Sequence, residues 1–572
     1  MRSSGIRRET DRANRHSMPG LQTQTCPVLG AAPWYLMEVA GPNCGGAMNR
    51  RTITVCVAAA GISTVLVMAG LFQTVRVQTA GGRSCESVAA LTLPNTTVTS
   101  AQTVGAGAFT PPAAGRGRGN GLPANPYARL PAFCRVAATS RPSSDSDIKI
   151  EVWLPASGWN GKFQAVGNGG WAGTISYPAL AAAVAAGYAG ASTDTGHVGN
   201  NADFALGHPE KLIDIGYRSI HEMTVQGKAI IDAYYSNAPR LSYFNGCSLG
   251  GRQAITEAQR YPADFNGIIA GASAWNAMRM HAARAGLNLI VNKTPDAVIP
   301  PSKYPMIHNA VMAACDGLDG VTDGVVENPT RCRFDYATLA CPGADGPDCL
   351  TKGQVESAKA MTSPLKNPKT GAVLYEGHLW PGSELGWGTL GGPEPLGNAT
   401  TGLKNVLFKD PSWDWHTFDV AAGFERADKA DNGVLYSGDP NLKPFFDRGG
   451  KLLMYHGWAD PQVTPQNSVI YYNNVLKTVG KEKAANSIAL FMVPGMNHCQ
   501  GGVGTDTFDK VGTLEQWVEQ GKTPTQIIAS HLTSGQVDRT RPLCPFGKVA
   551  KWKGTGNTDD AANFSCVAEA VD

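Results

Sequence analysis

The chain has 572 residues, of which 42% are hydrophobic and 17% are charged, and its formal net charge is +3. This length is sufficient for a large buried core, and the nearly balanced charge argues against nucleic acid as a partner. The chain also contains thirteen cysteines, which favours an oxidising compartment over the cytosol.

The first 80 residues have the pattern of an export segment preceded by an extension. Met48, Asn49 and two arginines precede an apolar run at residues 53–72, as in a secretory signal. We predict a signal peptide at 48–80 and a disordered or wrongly assigned extension at 1–47. The protein is then secreted or periplasmic and free of the membrane after cleavage. An uncleaved anchor is the alternative, because the run is nearly long enough to span a bilayer.

Strand and helix patterns alternate after a loop rich in Gly, Pro and Ala at residues 106–125. Strands are predicted at 148–154, 162–166 and 187–192, and helices at 178–186 and 218–236. Strands that alternate with helices favour a parallel α/β sheet.

The segment GCSLGG at residues 246–251 fits the Gly-x-Ser-x-Gly pattern of a nucleophile elbow. A strand pattern at 241–244 leads into it and a helix pattern at 252–260 follows, which is the context that the motif requires. The glycines matter because the sharp turn that exposes the serine leaves no space for a Cβ beside it. Ser248 is therefore the predicted nucleophile.

The alternation breaks down between residues 275 and 447. This stretch is rich in Gly and Pro and contains four cysteines, and we predict that it is a lid domain between two core segments, 81–274 and 448–572. It also contains Trp380, Trp387, Trp413 and Trp415. Such side chains suit an aromatic substrate if they face the site. Packing within the lid's own core is an equally good interpretation.

A short loop in this insertion has three carboxylates between glycines. Asp316, Asp319 and Asp323 lie between Cys315 and Cys332. Hard oxygen ligands on a tight loop favour Ca²⁺, although the spacing is not that of an EF-hand. An ordinary cluster of Asp-Gly turns is the alternative.

Two later strands are followed by the residues that an activated serine needs. A strand pattern at 451–455 precedes His456 and Asp460, and one at 488–493 precedes His498. Functional side chains of open α/β sheets lie beyond the carboxyl ends of strands, and the order Ser, Asp, His is that of α/β-hydrolases. We assign Asp460 and His498 to the triad, and give His456, directly at a strand end, a buried supporting role.

Two cysteines flank the proposed nucleophile and base. Cys247 precedes Ser248, and Cys499 follows His498. A disulfide holds its Cα atoms about 4.4–6.8 Å apart, so this bond would bring the hydroxyl and the imidazole together. Two unrelated buried thiols are the alternative.

Together, these motifs resemble the tannase and feruloyl esterase family of secreted serine esterases, which includes the enzyme that cleaves mono-hydroxyethyl terephthalate. The resemblance extends from about residue 85 to residue 566 and includes the segments 166–171, 192–197 and 408–413. It implies an α/β-hydrolase fold with a large lid insertion between the nucleophile and the acid.

The resemblance also implies site residues. The disulfides that it suggests are Cys85–Cys134, Cys247–Cys499, Cys315–Cys332, Cys341–Cys349 and Cys544–Cys566. It implies a structural calcium bound by the side chains of Asp316, Asp319 and Asp323 and by the carbonyls of Val321 and Val325. The residue after the nucleophile, Leu249, supplies one oxyanion N–H, and the resemblance gives Gly170 as the second.

The predicted function is hydrolysis of small esters of aromatic acids, feruloyl esterase-like, on substrates that include esters attached to plant polysaccharide. Tannase activity on galloyl esters and cleavage of the terephthalate half-ester are the alternatives. In the family, terephthalate cleavage uses a lid arginine, and residues 335–425 contain none, which weighs against that substrate. A catalytically silent protein that binds phenolics or carbohydrate is a remote possibility.

Overall fold

The computed structural model describes residues 82–112, 127–430 and 433–569. The predicted extension at 1–47, the signal peptide at 48–80 and residues 113–125 of the predicted loop lie outside this part of the chain. No helix in the described ranges is long and apolar enough to cross a membrane.

The strands of the described residues fall into one large sheet and three small ones. They are β1 (Thr96–Val104), β2 (Phe133–Ser140), β3 (Ile148–Pro155), β4 (Lys162–Val166), β5 (Ala189–Thr193), β6 (Leu241–Cys247), β7 (Gly267–Gly271), β8 (Leu365–Lys366), β9 (Val373–Tyr375), β10 (Lys451–Gly457), β11 (Ile488–Val493), β12 (Thr507–Phe508), β13 (Ile527–Thr533), β14 (Gln536–Leu543), β15 (Lys548–Trp552) and β16 (Phe564–Ala568).

The α-helices of the same residues are α1 (Tyr177–Ala185), α2 (Pro209–Ile213), α3 (Ser219–Tyr235), α4 (Leu249–Arg260), α5 (Ala277–Val291), α6 (Tyr304–Cys315), α7 (Lys352–Thr362), α8 (Gly397–Gly402), α9 (Val420–Ala430), α10 (Lys443–Asp447), α11 (Gln466–Val479), α12 (Lys481–Ala485) and α13 (Lys510–Gln520).

The large sheet has the order β1-β2-β3-β5-β4-β6-β7-β10-β11. The strands from β5 to β11 pair in parallel, and β1, β2 and β3 add an antiparallel edge. Successive residues of β7 belong to different apolar cores. Ile268 packs with α3 and α4, whereas Ile269 packs with α13. Helices therefore cover both faces of the sheet, and the predicted α/β-hydrolase fold is confirmed.

The sequence patterns located the central elements closely. The structure has β4 and β11 at the predicted residues, and α3 lies within the predicted helix at 218–236. All residues of β4 and β11 are buried, and buried parallel strands form continuous apolar runs that are easy to detect. The edge strand β1 was missed. Most of its side chains are exposed or half-buried, without regular alternation, so it lacks the pattern by which strands are found.

Between β7 and β10 the chain contributes no strand to the large sheet. This stretch contains helices α5–α10 and has an apolar core of its own around Ile307, Val311 and Trp387. Trp387 is fully buried and contacts Tyr336, and the ring of Trp413 stacks on Phe408. The structure thus supports packing within the insertion for Trp387 and Trp413, whereas Trp380 contacts Trp458 of the second core segment.

Candidate active site

Ser248 occupies a strained turn between β6 and α4. Its φ angle is 64°, a left-handed value that is uncommon outside glycine. The Ser248 N–H donates to the Gly271 carbonyl at 3.0 Å, which ties the turn to the next strand. A Cβ on Gly246 would lie 2.4 Å from the Gly250 carbonyl oxygen. The glycine requirement inferred from the motif therefore has a direct steric cause.

The predicted bond between Cys247 and Cys499 is present, and their Cα atoms lie 6.0 Å apart. It joins residues separated by 252 positions and so connects the chain neighbours of Ser248 and His498. The other four predicted disulfides are also present: Cys85–Cys134, Cys315–Cys332, Cys341–Cys349 and Cys544–Cys566.

Asp460 and His498 meet beyond the carboxyl ends of β10 and β11. The His498 Nδ1 lies 2.7 Å from the Asp460 Oδ2. The other oxygen of this carboxylate accepts the N–H groups of Gln462 and Val463 at 2.7 and 2.9 Å. The carboxylate is therefore held by its own loop in the orientation that receives the imidazole.

His456 is also bound to Asp460, which separates the roles of the two histidines. Its Nε2 lies 3.1 Å from the Asp460 Oδ2 and its Nδ1 lies 2.8 Å from the Ser468 hydroxyl. The His456 side chain is fully buried, whereas 13% of the His498 side chain is exposed. Of these two histidines, only His498 is partly accessible to solvent.

The charge state of Asp460 follows from these contacts. Complete burial by itself raises the pKa of a carboxyl group. Here the charge of His498 and the hydrogen bonds from both histidines outweigh burial, and they hold the pKa of Asp460 well below its ordinary value. Asp460 is thus an anion throughout the neutral range. The stability that ionised Asp460 contributes is lost only as the pH falls through that lowered pKa.

A cavity opens beside Ser248. We call it the Ser248 cavity. Its walls are formed by Gly170, Trp171, Ser248, Leu249, Arg252, Ala274, Ala277, Met280, His281, Arg284, Asn398, Leu435, Gln462 and Val463. Both predicted oxyanion residues, Gly170 and Leu249, lie on this wall. Gly170 has a φ of 59°, and a Cβ there would lie 2.9 Å from the Asn200 side-chain oxygen.

Sequence reasoning missed Arg284, which lines the Ser248 cavity from α5. No arginine was predicted at the site because residues 335–425 contain none, whereas Arg284 lies on α5, the first helix of the insertion. A signal was present in the sequence: Arg284 interrupts the small residues Ala282, Ala283 and Ala285, and a charge within a buried apolar helix is exceptional. Of the four insertion tryptophans, none is on the cavity wall given above.

The predicted calcium loop forms a tight turn. Both oxygens of Asp316 accept main-chain N–H groups, from Asp323 and Gly324. Asp319 accepts the N–H of Val321, and Asp323 accepts that of Val325 and also contacts Arg541. Within the described ranges, no group of three His, Cys, Asp or Glu side chains is arranged as a metal site.

Comparison with known proteins fits this geometry. A family model described as tannase and feruloyl esterase matches residues 134–567. The chain belongs to this family. The esterase is 39% identical to an uncharacterized esterase of Xanthomonas campestris, over 85% of this chain and 91% of that protein.

Two fungal relatives carry more specific names. A probable feruloyl esterase B-2 of Aspergillus terreus is 33% identical, over 76% of this chain and 86% of the relative. The crystal structure of feruloyl esterase B from Aspergillus oryzae superposes with a TM-score of 0.77 at 30% identity, covering 84% of this chain and 99% of that one. This esterase is accordingly a carboxylic ester hydrolase.

Proposed function

We propose that the protein is a secreted serine esterase that cleaves esters of aromatic acids, with Ser248 as nucleophile, His498 as general base and Asp460 as the residue that orients it. The observation that carries the proposal is the Asp460–His498 hydrogen bond of 2.7 Å, linked by the Cys247–Cys499 disulfide to a serine on a strained turn. This combination serves covalent catalysis, whereas simple binding needs no activated serine.

In the proposed mechanism, His498 takes the Ser248 hydroxyl proton as Oγ bonds to the ester carbonyl carbon. The tetrahedral intermediate collapses, the bond to the alcohol oxygen breaks, and His498 returns the proton to the departing alcohol. Water then attacks the acyl-serine in the same way, and the products are the carboxylic acid and the free hydroxyl of Ser248. The negative charge of Asp460 stabilises the imidazolium in both halves.

In this proposal, two main-chain N–H groups donate hydrogen bonds to the oxyanion. Leu249 supplies one because it follows the nucleophile at the start of α4. Gly170 supplies the second from the loop after β4. Both residues line the Ser248 cavity, which supports the assignment.

An aromatic acyl group suits the cavity because Trp171, Met280 and Val463 give it apolar walls. Planar rings bury a large apolar area against such walls. The names of the two fungal relatives support a feruloyl group. The natural ester is then one attached to plant polysaccharide. The five disulfides support secretion into an oxidising compartment.

The experiment that tests this proposal compares four methyl esters: ferulate, gallate, benzoate and octanoate. We expect the kcat/KM of methyl ferulate to exceed that of methyl octanoate by at least about 100-fold, because a rigid planar ring lies flat against apolar walls whereas a flexible octanoyl chain must lose conformational entropy to be ordered. The ferulate-to-gallate ratio separates the feruloyl from the tannase assignment. Equal rates for the ferulate and octanoate esters would contradict an aromatic acyl site.

We also propose that the loop at residues 316–325 binds a structural Ca²⁺ through Asp316, Asp319, Asp323 and the carbonyls of Val321 and Val325. Three carboxylates on one short turn offer the hard oxygen ligands that Ca²⁺ prefers. The main-chain N–H groups that they accept set their orientation. Arg539 and Arg541 both pair with Asp323 and together neutralise only part of this charge. The ion would stabilise the loop and take no part in ester cleavage.

Removing calcium should lower the melting temperature of the purified protein. At a free Ca²⁺ concentration one hundred times the Kd, binding stabilises by about 2.7 kcal/mol. We expect EGTA to abolish this gain and added Ca²⁺ to restore it. Asp319→Asn should remove the response, whereas Asp232→Asn, an exposed position on α3, should leave it intact. A melting temperature that ignores both EGTA and Ca²⁺ would exclude the site.

A further inference from the structure

The proposed oxyanion residue Gly170 lies in a four-residue turn that follows β4. The Ala172 N–H donates to the Gly169 carbonyl at 2.9 Å, and Gly170, the second residue of the turn, has a φ of 59°. The hydrogen bond of such a turn uses the N–H of the fourth residue and does not involve the N–H of the second. The direction of the Gly170 N–H therefore depends on what holds the turn in place.

His197 contacts this turn from the loop after β5. Its Nε2 lies 2.6 Å from the Trp171 carbonyl oxygen, and its Nδ1 lies 3.1 Å from the Thr195 hydroxyl. A carbonyl only accepts hydrogen bonds, so Nε2 carries the hydrogen and Nδ1 is left to accept one. Burial lowers the pKa of His197 below its ordinary value, which favours this neutral form of the ring.

The loop that carries His197 is rigidly held. Only 6% of His197 is exposed, and its ring stacks on Phe204 with the ring centroids 3.8 Å apart. Thr195 has a φ of 61°, which is a genuine outlier for a β-branched residue. The Asp194 carboxylate accepts the N–H of Gly196 at 2.9 Å and helps to hold this conformation. Strain of this kind persists only where the surroundings enforce it, and it clusters at functional sites.

The two loops also approach each other closely along their main chains. The Gly173 N–H donates to the Gly199 carbonyl at 2.7 Å. A Cβ on Gly173 would lie 2.3 Å from the His197 carbonyl oxygen, and the Asn200 side chain leaves no space for one on Gly170. His197 itself is not on the wall of the Ser248 cavity given above. Any effect that it has on the reaction therefore passes through the turn.

We propose that His197 is a positioning residue for ester hydrolysis: by donating to the Trp171 carbonyl, it fixes the turn so that the Gly170 N–H points at the oxyanion. This inference rests on the proposed function, since it requires Gly170 as an oxyanion donor. Such a donor is effective because it is already in place when the negative charge develops. The last residue of the segment 192–197 thereby gains a role.

The test compares His197→Phe with His197→Gln. Phenylalanine keeps a ring against Phe204 and loses the hydrogen bond, whereas the glutamine amide keeps an N–H donor at the reach of Nε2. Each protein is assayed for kcat and KM with the methyl ester that wild type cleaves fastest.

Two inhibitors separate the ground state from the transition state. The acid product of the same ester binds without forming a tetrahedral centre. Phenylboronic acid forms a bond from boron to the Ser248 oxygen, the serine proton passes to His498, and the tetrahedral adduct places a boron hydroxyl at the oxyanion position.

We expect His197→Phe to lower kcat by about 10- to 100-fold, because a misdirected oxyanion donor loses much of its effect on the transition state. The Ki of phenylboronic acid should rise by a similar factor, whereas the Ki of the acid product should change by less than about threefold. His197→Gln should recover most of the lost rate.

The matched control is His221→Phe on α3. The His221 ring also stacks on an aromatic side chain, that of Tyr261, with centroids 3.8 Å apart, and its Nδ1 lies 2.7 Å from an Asp264 oxygen. This substitution should leave kcat and both inhibition constants unchanged. Melting curves establish that each variant is folded.

An unchanged kcat in folded His197→Phe would overturn the proposal, and so would equal losses in the phenylalanine and glutamine variants. A parallel rise of both inhibition constants would indicate general damage and would also overturn it. If His197→Phe does not fold, His197→Asn replaces it, because its amide reaches only the position of Nδ1. If neither variant folds, His197 is a structural residue and the proposal fails.

These outcomes leave the proposed esterase intact. A wild-type protein that hydrolyses none of the four methyl esters would instead remove the proposed function itself.

Discussion

Replacing Ser248 with alanine should lower kcat for methyl ferulate by about a million-fold, the effect of removing a serine nucleophile. The residual rate comes from binding and from the oxyanion donors. The fold should persist, because alanine tolerates the φ of 64° no worse than serine does. Steady-state assays and melting curves on the same preparation measure both properties.

The matched control is Ser273→Ala. Ser273 is a fully buried serine just after β7, and its hydroxyl has no hydrogen-bond partner among the described residues. Its loss removes no hydrogen bond among the described residues, so we expect kcat to change by less than about threefold. A Ser248→Ala protein that retains more than a hundredth of the wild-type rate would remove Ser248 from the mechanism.

Removing the Cys247–Cys499 disulfide, through alanine at both positions, should reduce both activity and stability. The bond closes a loop of 252 residues, for which the chain-entropy model gives about 5 kcal/mol. In the proposed mechanism it also positions His498 relative to Ser248, and a misplacement of about 1 Å costs about 100-fold in rate. We therefore expect kcat to fall at least 100-fold, even well below the melting temperature.

The control is the same double substitution at Cys341 and Cys349. That disulfide spans 8 residues within the insertion, so the same model gives about 2.5 kcal/mol, and kcat should not change. Urea unfolding measures the stability of both variants. Wild-type kcat in the Cys247/Cys499 variant would mean that the sulfur bond only stabilises the fold.

The candidate site residues and the central sheet could be predicted from the sequence because short-range sterics and apolar patterns specify them. Gly246 and Gly250 are required by the steric limits of the turn, and an elbow strand and helix surround them. The strands β4 and β11 are buried on both faces, so their apolar runs are continuous. The cysteines beside Ser248 and His498 gave a long-range distance that strand patterns alone do not provide.

Other features are decided by packing between distant segments. The sharing of Asp460 by His456 and His498 depends on how β10 and β11 align. Trp387 lies in the insertion's own core and not at the cavity, because Tyr304 and Tyr336 surround it.

The sequence by itself pointed to the candidate nucleophile, the order Ser, Asp, His and the hydrolase topology, because each follows from short-range sterics or from a motif. The disulfide pairs followed from the family resemblance. The composition of the Ser248 cavity was decided only by the tertiary structure. Arg284 meets Asn398 and Gln462 there, partners 114 and 178 residues away in the chain. No local pattern encodes such a meeting, since it results from how the insertion folds back over the sheet.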